Sequence, residues 1–136
     1  MVESIRFDMR DASPLVLAYM GDAYIELLAR ETVIKNGKKC ISAINDEVKR
    51  FVTAKNQSEA AKRIEPLLSE KEHRVFRQGL NSKPRNLPKS ASAVEYMRAT
   101  ALECLFGYLY LTQMHERAVE LFDICYLIKE VHDDRT

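Results

Sequence analysis

The sequence predicts an all-α fold, and three observations carry that prediction. Apolar residues recur at helical spacing along most of the chain, alternating strand patterns are absent, and serine-led helix starts stand at positions 13, 69 and 92. A length of 136 residues, with 46% hydrophobic and 30% charged residues and only 4 Gly and 4 Pro, fits one compact domain over residues 1–136. That composition excludes disordered, collagen-like and disulfide-scaffold classes. No apolar run approaches the ~18 residues that a membrane span requires.

Each element has a local reason. Ser13 followed by Pro14 supplies an N-cap and a proline at the first helical position, and the helical pattern from Leu15 to Ile34 closes at Asn36-Gly37. From about Ala43 to Ile64 the pattern suits two short helices, with Thr53 or Ser58 able to start the second. Ser69-Glu70-Lys71-Glu72 is a capping box opening the next helix, with Gly79 as its expected stop. Residues 80–91, LNSKPRNLPKSA, lose all periodicity and read as a flexible basic loop. Ser92-Ala93-Val94-Glu95 is a second capping box, leading an apolar helix to about Met114. A last amphipathic helix spans roughly Glu116 to Val131.

The start, MVESIRFDMRD, has no apolar core segment and does not read as a secretory signal. Cys40, Cys104 and Cys125 are odd in number and widely separated, which predicts reduced, buried thiols in a cytoplasmic protein. His73, His115 and His132 share no metal-ligand spacing. The 6 Tyr and 5 Phe sit mostly at core spacing and suggest no stacking platform for bases.

A formal net charge of +1 argues at first against a polyanionic partner, but it is a cancellation. Residues 30–63 carry nine Lys+Arg against four acids. Residues 74–89 hold Arg74, Arg77, Lys83, Arg85 and Lys89 with no acid. The basic loop is therefore either a phosphate contact or a solvated segment serving solubility.

Two carboxylates stand out in the most apolar segments. Leu17-Ala-Tyr-Met-Gly-Asp22-Ala-Tyr-Ile25 and Thr100-Ala-Leu-Glu103-Cys-Leu-Phe-Gly-Tyr108 each place an acid in a core-like helix near a glycine. Burying a carboxylate is costly unless it is paired, hydrogen-bonded or metal-bound. One arrangement unites these features: the two helices cross closely, with Asp22 and Glu103 facing a cation between them. Oxygen donors favour Mg²⁺, with Mn²⁺ as the alternative. In the other arrangement Asp22 pairs with Arg98 and Glu103 points to solvent.

These segments resemble the ribonuclease III catalytic domain, most nearly its minimal bacterial branch. Leu17 to Glu26 is similar to the signature helix centred on Gly-Asp-Ala, and Thr100 to Gly107 is similar to the second acidic helix. Val52-Thr-Ala-Lys-Asn-Gln57 and Gly79-Leu-Asn-Ser-Lys83 resemble the same branch. The likeness runs from about residue 14 to residue 112, with a comparable last helix.

The resemblance implies a Mg²⁺-dependent, homodimeric endoribonuclease that cuts double-stranded RNA, with Asp22 and Glu103 as catalytic metal ligands. It further implies maturation of large-subunit (23S) ribosomal RNA precursors in the cytoplasm. Two acidic ligands of larger relatives are replaced here by Ala18 and Thr100, as is usual in the minimal branch. Without a separate double-stranded-RNA-binding domain, affinity is expected from Asn81, Ser82 and Lys83, supported by Arg74, Arg77, Arg85 and Lys89. Leu80 stands where that branch commonly has arginine. The competing expectation is a non-catalytic RNA-binding or ribosome-assembly module that retains the fold.

Overall fold

The computed structural model describes residues 7–82 and 92–128. Six α-helices follow a short 3₁₀ turn at Met9–Asp11: α1 (Pro14–Lys35), α2 (Ile41–Phe51), α3 (Ala54–Ile64), α4 (Glu70–Leu80), α5 (Ala93–Leu111) and α6 (His115–Cys125), with a second 3₁₀ turn, Glu65–Leu67, before α4. No strand occurs among the described residues.

The caps form where the sequence places them. Ser13 Oγ accepts from Val16 N–H with Pro14 at the first position of α1, and Gly37 beyond its C-terminus has φ +97°. Thr53, not Ser58, starts α3 by accepting from Asn56 N–H. Both capping boxes close reciprocally, Ser69 with Glu72 and Ser92 with Glu95.

Three boundaries differ from expectation. Gly79 does not stop α4; it lies inside the helix, where an added Cβ would come 2.6 Å from Ala101 Cα. Its missing side chain therefore serves contact with α5. Helices α5 and α6 end earlier than their apolar patterns suggest, because both close in left-handed caps. Gln113 N–H donates to Tyr110 O and Met114 N–H to Leu109 O. Leu127 N–H likewise donates to Ile124 O and Ile128 N–H to Asp123 O. Gln113 (φ 61°) and Leu127 (φ 53°) occupy positions where glycine is the usual residue, which hid both ends.

Helix α5 is the centre of the molecule, packed on α1, α3 and α4. From Ala99 to Leu109 every residue except Glu103 is buried. Such an all-round apolar helix belongs in a core rather than on a surface. Leu17, Ile25 and Ala29 of α1, Ala60, Ala61 and Ile64 of α3, and Phe76 of α4 fill the space around it. A buried ion pair ties α4 to α6: Arg117 Nε and Nη2 donate to Glu72 Oε2 and Oε1, each at 2.9 Å.

Candidate active site

The site begins with a backbone contact. Where α1 crosses α5, Gly21 faces the carbonyl oxygen of Glu103, and an added Cβ would lie 1.7 Å from it. The reciprocal contact has Gly107 facing the Leu17 carbonyl, at 1.9 Å for an added Cβ. Two glycines, one per helix, thus let the main chains touch. That contact is why glycine stands in the middle of both helices despite its cost to helix propensity.

Asp22 follows Gly21 directly, and Glu103 owns the carbonyl that Gly21 faces, so the crossing brings the two carboxyl groups together. Burial, then the charge of Asp22, then a hydrogen bond with the Asp22 side chain push the Glu103 carboxyl up to about 8. Glu103 therefore favours its protonated form at neutral pH. The position between these oxygens suits a positive charge.

The sequence expected both acids in core-like surroundings. Glu103 is half-buried, but Asp22 is exposed, because that side of α1 is open along its length. The alternative pairing of Asp22 with Arg98 does not form; no ion pair links them among the described residues. Ala18 and Thr100 add no ligand. The Thr100 hydroxyl donates to Tyr96 O at 2.9 Å. No cluster of three or more His, Cys, Asp or Glu residues suited to a metal occurs among the described residues. The donor set is thus two carboxylates, which fits a hard, oxygen-seeking cation whose remaining positions are taken by water or substrate oxygens.

The expected RNA-binding residues divide. Arg74 and Arg77 are exposed on α4 and make no ion pair among the described residues. Asn81 is the exposed C-cap of α4. Ser82 is half-buried, and its hydroxyl donates to Gly79 O at 2.7 Å, so this group is already engaged. Lys83, Arg85 and Lys89 lie outside the described residues.

The sequence reading expects a dimer interface on part of the apolar surface of helices 14–35 and 92–113 without naming its residues, and α1 carries an exposed apolar stripe. Leu15, Val16, Tyr19, Leu27 and Ile34 are exposed, Tyr19 at 83%. The signal was legible in α1, which is apolar on more of its circumference than one core face requires. The cysteine expectation also needs correction: Cys104 and Cys125 are buried, but Cys40 is exposed at the N-cap of α2.

A helical domain with one acid on each of its two closely crossed central helices has the architecture of the ribonuclease III type. The chain belongs to the ribonuclease III family: residues 15–114 match its Ribonuclease III domain. It is 37% identical to the Mini-ribonuclease 3 of Clostridium tetani over 123 residues, covering 90% of this chain and 82% of the relative. The Mini-ribonuclease 3 of a Thermoanaerobacter species is 38% identical over 112 residues, covering 82% and 79%. A Fusobacterium nucleatum protein of known crystal structure shares the fold with a TM-score of 0.78 and 37% identity, covering 86% of this chain and 93% of that one.

Proposed function

We propose that this chain is a Mg²⁺-dependent endoribonuclease that cleaves double-stranded RNA as a homodimer. The observation that carries the reading is the Asp22–Glu103 pair, held by a glycine-to-carbonyl backbone contact. Burial and the charge of Asp22 disfavour ionised Glu103, and a cation between the two groups would offset that cost.

Asp22 and Glu103 would hold the cation. When bound, Mg²⁺ supplies Lewis-acid polarisation of a phosphate oxygen and lowers the pKa of water. The chain's own residues do the rest. With Glu103 deprotonated, the pair would present two negative charges to the cation. The backbone contact at Gly21 fixes the crossing of the two helices that carry the acids. Arg74 and Arg77, with no ion-pair partner among the described residues, attract phosphates, as a basic surface without a base-reading motif would on duplex RNA. Lys83, Arg85 and Lys89 belong to the same basic run.

The apolar α1 stripe passes beside Asp22 and supports a twofold contact between two copies. Such a dimer presents one carboxylate pair to each strand of a duplex. The proposal extends to large-subunit ribosomal RNA precursor in the cytoplasm as the substrate, on the resemblance of the sequence to the minimal branch of the family. No described helix is long and apolar enough to cross a membrane.

The replacement of two ligands by Ala18 and Thr100 favours the second reading, a non-catalytic RNA-binding module. Incubating structured RNA with wild type, Asp22→Asn and Glu103→Gln proteins, with and without Mg²⁺, separates the two. Metal-dependent cleavage lost in both variants is expected. RNA affinity without cleavage or metal binding would establish the module instead.

A further inference from the structure

At the C-terminal end of α5 a half-open cleft of about 490 Å³ lies between Phe7, Tyr24, Tyr110, Gln113 and His115. Its volume is that of an ordinary small-ligand site. Tyr110 is seven residues beyond Glu103 on the same helix, roughly 10 Å along its axis. The sequence suggested core roles for the aromatics, yet Tyr110 is 48% exposed and meets buried Tyr24 edge-on, with ring centroids 5.0 Å apart.

The Tyr24 hydroxyl is hydrogen-bonded to His115 Nδ1 at 2.5 Å. Burial, then the neighbouring Tyr110 and Glu31, hold the Tyr24 phenol above its ordinary pKa. That bond engages Nδ1 and leaves Nε2 as the second polar atom of the His115 ring for a ligand. Gln113 brings an amide with both a donor and an acceptor. It does so from a left-handed backbone position, φ 61°, that favours glycine. Among the described residues no Lys or Arg lines the cleft.

Aromatic faces, an imidazole nitrogen and a side-chain amide together match a flat ring with a hydrogen-bonding edge. We propose that this cleft holds an unpaired nucleobase of the RNA, stacked on Tyr110 and Phe7, with its edge bonded to the Gln113 amide and to His115 Nε2. The sugar and phosphate remain outside on the open side. The inference rests on the RNA-substrate reading only for the source of the base; the cleft itself is tested independently of cleavage.

Adenosine is titrated into the full-length Asp22→Asn protein while the tyrosine and histidine ring protons are followed by NMR. Saturable shifts at Tyr24, Tyr110 and His115 are expected, with affinity about tenfold weaker in Tyr110→Ala. Half-exposed Tyr110 can be removed without opening the core. Gln113→Gly keeps the backbone geometry while deleting the amide, and it too is expected to weaken binding. No saturable shift, or unchanged affinity in both variants, would overturn the proposal. In a second arm, a duplex carrying one unpaired adenosine binds Asp22→Asn more tightly than the fully paired duplex, and Tyr110→Ala erases the difference. Equal binding of the two duplexes by Asp22→Asn would overturn the RNA source. Adenosine binding alongside a wild type that cleaves no RNA would sink the nuclease reading and leave the cleft standing.

Discussion

Gly21 rests on the main-chain carbonyl of Glu103, so the α-carbon one residue before one acid touches the backbone of the other. The approach of the two helix backbones that carry the acids is therefore set by main-chain contact.

Any side chain at Gly21 must push α1 from α5. Gly21→Ala is expected to destabilise by about 3 kcal/mol, at the upper end of overpacking costs, because the obstacle is backbone. Gly37→Ala is the control: an added Cβ meets nothing within 4 Å, but φ is +97°, so about 1 kcal/mol is expected. Urea unfolding of both variants measures the contrast, and equal losses would disprove the contact argument.

Glu103 gives the metal-free protein an unusual pH dependence. Burial and then Asp22 raise its carboxyl from 4.5 to about 8, so the folded chain holds the proton more tightly than the unfolded chain. This contribution to stability is complete below about pH 4.5 and disappears as pH rises through about 8. Thermal melts in EDTA should show the wild-type midpoint falling across that window, and Glu103→Gln should flatten the fall.

Glu72 acts in the opposite sense. Its hydrogen bonds to Arg117 lead the effects that hold its carboxyl below 4.5, so its contribution is present above that value and lost as pH falls. Arg117 also donates to Leu67 O at 3.0 Å and bonds Glu120. Arg117→Met strands a carboxylate that is only 3% exposed, and a loss of about 3–5 kcal/mol is expected at neutral pH. The loss should shrink on acidification; a constant loss would show that the pairing is not its cause.

Tyr19→Glu places a charge at the most exposed apolar position of α1. The proposed twofold contact predicts a wild-type dimer by sedimentation equilibrium that gives way to monomer in this variant, with the fold intact by circular dichroism. A variant that still dimerises at wild-type concentration would place the interface elsewhere.

Much of this architecture was legible because its signals are local. Ser13-Pro14, the capping boxes at Ser69 and Ser92, and Thr53 are short-range devices whose partners lie within four residues. The carboxylate pair was legible for a different reason: an acid beside a glycine in an apolar helix conflicts with both propensity and burial. What the sequence concealed depends on tertiary contact. Gly79 reads as a helix stop until Ala101 is seen against it, and the early ends of α5 and α6 were hidden by Gln113 and Leu127 in glycine positions. The exposure of Asp22 was hidden too, since an exposed apolar stripe has the same spelling as one that packs the core.

Asp22 and Glu103 stand near opposite ends of the family-matched segment, and the helices that carry them are joined only by the long-range packing of α1 on α5. Closing so distant a contact is a slow part of folding, whereas single helices form early. A chain emerging from the ribosome has α1 through α4 before it has any site. During refolding, the pair assembles only when α5 docks into the centre of the molecule, so the capacity to bind a cation there should appear with the final cooperative phase.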